Sequence, residues 1–178
     1  MCRGSRVSNG LPCRRRMITT RRVVVDDAEA ISALLMANAV EQRGALYGDW
    51  SIGVVTGWIK SGALIVAATQ GSRLIGVLFT SEKTQAAAPP VLAMLKAWPG
   101  RDDAYIYGPV CVDRHARGTG VLEALHGEVV TRLPGREAIL FINGLNGRSL
   151  RAHIKLGFKD VSSFRLEGQE YLVFSSIG

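Results

Sequence analysis

The C-terminal half of the chain contains a glycine-rich segment that could bind an anion. Arg117-Gly-Thr-Gly120 stands between a predicted strand and a predicted helix. Backbone N–H groups at the start of a helix have no partner within the helix, and the helix dipole adds partial positive charge there. Glycines let a phosphate group approach the backbone closely, so this spacing predicts an anion cradle. The alternative interpretation is a tight strand-to-helix turn that binds nothing.

Two common phosphate-binding motifs are excluded for this segment. The dinucleotide-binding fingerprint would need a third glycine at position 123, where the chain has Glu123. A P-loop would need Gly-Lys followed by Ser or Thr after four spacer residues, and no such string occurs in the sequence. A phosphate bound here therefore belongs to another class of ligand.

A second segment, from Asn146 to Phe158, combines a polar start, a histidine and a glycine stop. Asn146 is a good helix cap, and Gly157 is typical of a helix end. By itself the pattern predicts a capped amphipathic helix whose Leu150 and Ile154 face the core.

Together the two segments resemble the GNAT superfamily of acyl-CoA-dependent N-acetyltransferases. The cofactor motif of that family, Arg/Gln-x-x-Gly-x-Gly/Ala, is similar to Arg117-Gly-Thr-Gly-Val-Leu122, with Leu122 departing from the usual Gly or Ala. A later Asn-x-x-Ser…Gly-Phe block is matched by Asn146, Ser149 and Gly157-Phe158. The resemblance implies an α/β (α+β) fold with a mixed, splayed central sheet of about seven strands flanked by helices. It covers residues 17–177, and the N-terminal half matches only in pattern.

The resemblance also implies which residues hold acetyl-CoA, the expected co-substrate. The backbone of the strand before the loop would meet the pantetheine arm, the loop amides would hold the pyrophosphate, and the later block would contact the same ligand. A backbone N–H, that of Val112, would polarise the thioester carbonyl. No metal is expected. The implied cofactor-binding residues are Val110, Cys111, Val112, Arg117, Gly118, Thr119, Gly120, Val121, Leu122, Asn146 and Ser149.

The resemblance implies a proton donor at position 153 but leaves the base open. His153 stands where the family commonly has the tyrosine that protonates the departing thiolate, and an imidazole pKa near 6.5 suits acid–base work. A packed histidine is the alternative. The family's frequent base positions fall on Ile106 and Gly108, which cannot take a proton. The remaining candidates are water, an acceptor that is already neutral, or one of Asp49, Glu82, Tyr105 and Tyr107.

The function implied by the resemblance is an N-acetyltransferase that moves the acetyl group of acetyl-CoA to a primary amine by direct attack. The alternative is a non-catalytic acyl-CoA-binding sensor, which the missing base favours. The acceptor would be a small molecule or a peptide, and a homodimer is a possible assembly. In the family the acceptor site is shaped by regions matched least here, which are Tyr47–Trp50, 81–103 and Glu167–Gln169.

A predicted strand–helix–strand unit positions both segments. Residues 105–112 form a strand pattern interrupted by Gly108-Pro109, so this strand is expected to be an edge, bulged or splayed there. A helix of 121–133 follows, and the apolar run 138–142 is typical of a buried parallel strand. The other predicted elements are strand 17–25, a helix capped by Asp26 or Asp27, helix 51–60, strands 63–69 and 73–80, a helix between Pro89 and Pro99, and strands 159–166 and 170–174.

Composition and charge place the chain among ordinary globular proteins. Of its 178 residues, 47% are hydrophobic and 21% charged, which is typical of a single domain. The net charge of +7 comes from the seven arginines of residues 1–22, since the remainder holds equal numbers of basic and acidic side chains. A neutral body argues against nucleic acid as a partner. Residues 1–16 are therefore expected to be a disordered basic extension, and 17–178 a single GNAT-like acetyltransferase domain.

The remaining signals favour a cytoplasmic location and no membrane partner. The longest plain apolar run, Ala63–Ala68, is far shorter than the roughly 20 residues that span a bilayer, and no signal-peptide pattern is present. The cysteines fit neither a disulfide framework nor a zinc site, and the histidines have no metal-binding spacing. These residues are Cys2, Cys13, Cys111, His115, His126 and His153.

Overall fold

The computed structural model describes residues 17–42, 46 and 48–178. The expected basic extension of residues 1–16 and Tyr47 lie outside the described residues. The strands are β1 (Ile18–Arg22), β2 (Ile65–Gln70), β3 (Arg73–Glu82), β4 (Tyr105–Val112), β5 (Glu137–Asn143), β6 (Lys159–Leu166) and β7 (Gln169–Ile177). The helices are α1 (Ala28–Met36), α2 (Ile52–Lys60), α3 (Pro89–Ala97), α4 (Val121–Arg132) and α5 (Gly147–Lys155).

The seven strands form one mixed sheet in the order β1-β2-β3-β4-β5-β7-β6. Neighbouring strands are antiparallel except β4 and β5, which are parallel and joined by α4. The predicted strand–helix–strand unit is thus confirmed, as is the mixed, splayed seven-stranded sheet.

The two central strands part soon after they meet. β4 and β5 pair only at Tyr105–Ala138 and Ile106–Ile139. On its other edge β4 is bulged, because Tyr107 lies opposite Thr80 while Val110 lies opposite Leu78. Gly108-Pro109 thus causes the interruption that the sequence predicts. From Tyr107 onward the edge of β4 that faces β5 has no strand partner among the described residues.

Helices cover both faces of the sheet. The alternation of side chains along a strand sends Val66 and Ala68 of β2 into a core shared with α4, and Ile65 and Ala67 into a core shared with α1 and α2. Leu150 of α5, and Leu156 and Phe158 after it, pack into the α4 core, whereas α3 packs on the other face over β5 and β6. Consequently α4 and α5 lie together on one face, beside the gap between β4 and β5.

Element boundaries differ from the sequence predictions in a few places. β1 ends at Arg22 rather than residue 25, because the chain turns at Val25–Asp27, where the Asp27 carboxylate accepts a hydrogen bond of 2.8 Å from the amide of Val24. β7 continues to Ile177, since it pairs along the whole of β5. The prediction that Ile154 faces the core is wrong: its residue is 56% exposed.

No helix in the described part of the chain is long and apolar enough to cross a membrane.

Candidate functional site

The loop between β4 and α4 presents its backbone to open space. Gly118 and Gly120 have φ angles of 74° and 96°, a left-handed conformation that favours glycine. A Cβ atom added to either glycine would meet no atom of the described residues within 4 Å. Both glycines are therefore required for the shape of the loop, and neither is required by crowding.

The amides of this loop are free to bind a ligand. Within the described residues, none of the amides from Arg117 to Leu122 donates a hydrogen bond to a backbone carbonyl, and the first helical bond runs from Ala124 to Gly120 at 3.0 Å. The Thr119 hydroxyl donates to the carbonyl of Ala116 at 2.7 Å and stabilises the turn. The loop thus has the geometry expected of an anion cradle.

The Arg117 side chain holds this loop in place. Its guanidinium donates to Oδ1 of Asn38 at 2.6 Å and to the carbonyl of Val112 at 3.3 Å. Asn38, buried just after α1, in turn donates to the carbonyl of Leu34 at 2.8 Å. Arg117 therefore links α1, β4 and the cradle. Sequence reasoning did not find Asn38, since it lies 79 positions from its partner.

The backbone of β4 presents two of its three predicted binding residues to the gap. The amide of Asp113 donates to Ile75 of β3 at 2.9 Å. Because successive residues of an antiparallel pair alternate, Cys111 points its N–H and C=O at β3, whereas Val110 and Val112 point theirs at the gap. The Cys111 side chain packs on the opposite face, where burial raises the pKa of its thiol to about 12.

The end of α5 lies close to the start of α4. Oδ1 of Asn146 accepts a hydrogen bond of 3.1 Å from the amide of Ser149, which confirms Asn146 as the helix cap. Lys155 and Glu123 form an ion pair of 3.2 Å that joins the two helices. Leu122 is half-buried, while its neighbour Val121 is in the core.

His153 is buried with one of its two ring nitrogens bonded. Its residue is 3% exposed, and Nδ1 lies 2.8 Å from the carbonyl of Ser149, so the proton is assigned to Nδ1. Burial lowers the pKa of His153, and the hydrogen bond to Ser149 opposes this shift only in part. At neutral pH the imidazole is therefore uncharged, and Nε2 has a lone pair and no proton to give.

The His153 ring belongs to a compact group of four rings. Tyr107 of β4 contacts His126 of α4 at 5.8 Å between ring centroids and His153 of α5 at 5.9 Å, and Phe158 contacts all three. We call these residues the Tyr107 cluster. Among the described residues, Tyr107 Oη, His126 Nδ1 and His153 Nε2 are buried without a hydrogen-bond partner. His126 had no predicted role; its one signal is its position four residues after Leu122 on α4.

The four candidate bases lie at different places. Asp49 precedes α2 and accepts a hydrogen bond of 2.8 Å from the amide of Ser51. Glu82 forms an ion pair of 2.7 Å with Arg136, and the ring of Tyr105 lies under the same guanidinium, at the end of the sheet remote from the cradle. Of the four, Tyr107 is the one that contacts His153.

A groove lies at the opposite end of α4 from the cradle. It has a volume of about 530 Å³ and is lined by Arg132 and Leu133 together with Arg22 and Thr80. A smaller hollow of about 80 Å³ adjoins the cradle at Asp113 and Thr119. Within the described chain, no three His, Cys, Asp or Glu side chains are grouped to hold a metal ion.

No protein-family model matches the sequence, and no curated protein matches it. Solved structures do match. An acetyltransferase of the GNAT family from Bacillus cereus is 14% identical with a TM-score of 0.68, covering 90% of this chain and 97% of its own. A Salmonella typhimurium structure containing its cofactor acetyl-CoA is 14% identical with a TM-score of 0.68, covering 90% and 93%. The ribosomal-protein-alanine N-acetyltransferase of Brucella melitensis is 16% identical with a TM-score of 0.68, covering 89% and 99%.

These similarities extend over nine-tenths of the chain and establish its fold as that of the GNAT acetyltransferases. The expected fold class is therefore confirmed. Identities this low leave the reaction and the acceptor to be argued from the site itself.

Proposed function

We propose that this chain, whose fold is that of the GNAT acetyltransferases, transfers the acetyl group of acetyl-CoA to the nitrogen of a primary amine. One observation carries the proposal: a cradle of free amides lies beside the gap where β4 and β5 part. A phosphate-bearing thioester with a long, amide-containing arm matches both features, because its phosphates suit the cradle and its arm suits an unpaired strand edge.

Acetyl-CoA would be held mainly by backbone groups. The amides from Arg117 to Leu122, including those of Gly118, Thr119, Gly120 and Val121, would bind the pyrophosphate, and the open space at the two glycines leaves room for it. Val110 and Val112 would bind the pantetheine arm through the groups they turn to the gap. Asn146 and Ser149, at the start of α5, would contact the same ligand. No residue of the proposed site calls for a metal.

The chemistry requires the amine to approach the thioester, a donor for the carbonyl oxygen, and a path for one proton. Holding both reactants in the gap supplies proximity. The N–H of Val112 faces the gap and would stabilise negative charge on the carbonyl oxygen. His153, beside the same gap, would take part in protonating the thiolate. Because the His153 imidazole is neutral, it would have to receive a proton before it could pass one towards the thiolate.

The acceptor is proposed to be a primary amine on a small molecule or a peptide. The similar Brucella protein is named for acetylating an alanine of a ribosomal protein, so a peptide N-terminus belongs among the test substrates. The region 81–103 and the β6–β7 turn at Glu167–Gln169 are proposed to shape the acceptor site. A cytoplasmic location and a homodimer remain part of the proposal, with no nucleic-acid partner.

The test measures free thiol released from acetyl-CoA by the full chain in the presence of a panel of amines: small polyamines, aminoglycosides, lysine and peptides with free N-termini. We expect thiol release that depends on one class of amine, with a matching acetylated product by mass spectrometry. The same incubation without amine is the control. Binding of acetyl-CoA without thiol release for any amine would instead identify an acyl-CoA sensor, and absence of binding would refute both functions.

A further inference from the structure

Three polar atoms of the Tyr107 cluster are buried without partners within one group of rings. Tyr107 and His153 are each 3% exposed, and His126 is half-buried. An unpaired buried polar group costs roughly 1–3 kcal/mol, so folded proteins keep few of them. Three such atoms on neighbouring rings, from β4, α4 and α5, indicate that this place has a polar role.

The chemistry of two of these atoms is complementary. The hydroxyl of Tyr107 has a proton to donate, and burial raises its pKa, so it keeps that proton throughout the physiological range. Nε2 of His153 has a lone pair, since the proton of this ring is on Nδ1 and is donated to Ser149. The two rings are nearly perpendicular, at 87°, with their centroids 5.9 Å apart. The structure does not join the two atoms, so the pairing requires a side-chain rotation that brings hydroxyl and nitrogen into hydrogen-bond distance.

We propose that Tyr107 and His153 act as one unit, in which the phenol exchanges protons with the substrates and His153 stores a proton behind it. This inference rests on the proposed acetyl transfer and deepens it. It assigns the missing base and the missing acid to the same hydroxyl, which comes from β4 and not from α5. Tyr107 is then the catalytic residue, and His153 is a positioning residue that acts through it.

The place of Tyr107 along β4 supports this assignment. It is the first residue after the last pair between β4 and β5, at the apex of the gap. Gly108-Pro109 follows at once, and Val110 and Val112 line the gap beyond. The backbone of Tyr107 therefore lies one step before the strand edge that is proposed to hold the thioester arm.

The proton transfers balance without another reactant. The amine nitrogen bonds to the acetyl carbon and gives one proton to Tyr107 Oη, while Oη passes its own proton to Nε2 of His153. The C–S bond then breaks, and its electron pair stays on sulfur. Oη donates a proton to this sulfur as Nε2 returns the stored proton to Oη. The products are the amide and the free thiol, and both side chains regain their first state.

The surroundings of Tyr107 and His153 favour a proton that stays on His153 only briefly. Burial lowers the pKa of both histidines, and the charge of His153 lowers that of His126 further. The titratable groups of the three packed elements that face the pair are His126 on α4 and Tyr105 two residues back on β4. Glu123 and Lys155, which pair with each other, are the nearby surface charges on α4 and α5. No carboxylate among the described residues neutralises His153, so its protonated form is short-lived.

The first experiment needs neither ligand nor turnover. Nitrogen-15 NMR of the ring nitrogens in the full chain, labelled at histidine, reports whether Nε2 of His153 accepts a hydrogen bond. We expect a hydrogen-bonded Nε2 in the wild-type protein, and a shift to the position of a free lone pair in Tyr107→Phe. Tyr105→Phe is the matched control on the same strand and face. A free Nε2 in the wild type would overturn the pairing, even if the variant did not fold. A response of His126 in place of His153 in the folded variant would overturn it as well.

The second experiment measures turnover with the best amine found. Tyr107→Phe and His153→Phe should each lower kcat by about 10²- to 10⁴-fold. The affinity of each variant for acetyl-CoA should stay within about twofold of the wild-type value. The kcat of the double variant should be little lower than that of either single variant. Tyr105→Phe should retain kcat. Full turnover by Tyr107→Phe, or additive losses, would refute the unit. If the wild-type protein transfers no acetyl group, the proposed function fails, while the NMR result still decides whether the pair exists.

Discussion

Replacing Gly120 tests whether the amide loop binds the pyrophosphate. An added side chain would project into open space, because no atom lies within 4 Å of a Cβ at this position. We compare Gly120→Asp with Gly120→Asn, since both have the same shape, both tolerate the left-handed backbone better than most residues, and both are good caps for α4. The two variants differ in one negative charge at the mouth of the cradle.

The size of the effect follows from Coulomb's law. A carboxylate about 5 Å from a phosphate oxygen repels it by about 3 kcal/mol at an effective dielectric constant of about 20. Salt at about 0.15 M, with a Debye length of about 8 Å, roughly halves this repulsion for a solvent-exposed pair. The expected difference of about 1.5–3 kcal/mol means that acetyl-CoA binds Gly120→Asp roughly 10- to 150-fold more weakly than Gly120→Asn.

Isothermal titration calorimetry of acetyl-CoA with both full-length variants and the wild type measures this difference. A thermal melt checks that the two variants are equally folded, since the left-handed backbone affects the stability of both. The gap between them should also narrow as salt is added, because screening weakens the repulsion. Equal affinity of two folded variants would refute the placement of a phosphate at this loop.

Three further predictions concern stability and reactivity. Burial by itself would raise the pKa of Glu137, but hydrogen bonds from Ser175, Trp98 and the Arg101 amide hold it below its usual value. Glu137→Gln should therefore lower the free energy of unfolding by about 1–3 kcal/mol in urea melts near pH 7. This loss should shrink as the pH falls through the lowered pKa, and a loss that does not depend on pH would contradict the argument. Gly76→Ala should lower the free energy of unfolding by about 1–3 kcal/mol, because its Cβ would lie 2.7 Å from the side chain of Val121. Gly127→Ala, on the open surface of α4, should instead raise it by up to about 1 kcal/mol. Equal effects of the two substitutions would refute the packing argument. The Cys111 peptide should stay unmodified by iodoacetamide at pH 8 until the protein unfolds, since burial raises its thiol pKa to about 12.

The loop and the capped helix α5 could be predicted from the sequence because they depend on local chemistry. Glycines at 118 and 120 are needed by the backbone itself, and Asn146 caps α5 through a residue three positions away. The interruption of β4 at Gly108-Pro109 is likewise local, since proline has no N–H to donate to a neighbouring strand. Such features produce the same local structure in almost any tertiary context.

The direction of the β4 backbone needed the tertiary structure. Whether Cys111 or its neighbours face the gap depends on the register of β4 against β3, and a shift of one residue would exchange them. No local pattern sets that register. The exposure of Ile154 is a similar case. Helical periodicity defines an apolar stripe along α5, but the packing of neighbouring elements decides which residues of that stripe are buried.

The sequence by itself determined the strand–helix–strand unit, the glycine loop at the start of α4 and the position of His153 on α5, since periodicity, caps and glycines act over a few residues. Only the tertiary structure decided which side chains meet. Arg117 reaches Asn38 on another element, and Tyr107, His126 and His153 come together from β4, α4 and α5. The protonation of His153 was decided in the same way. Its pKa and its unpaired nitrogen follow from burial against those rings, and burial depends on how the helices pack on the splayed sheet.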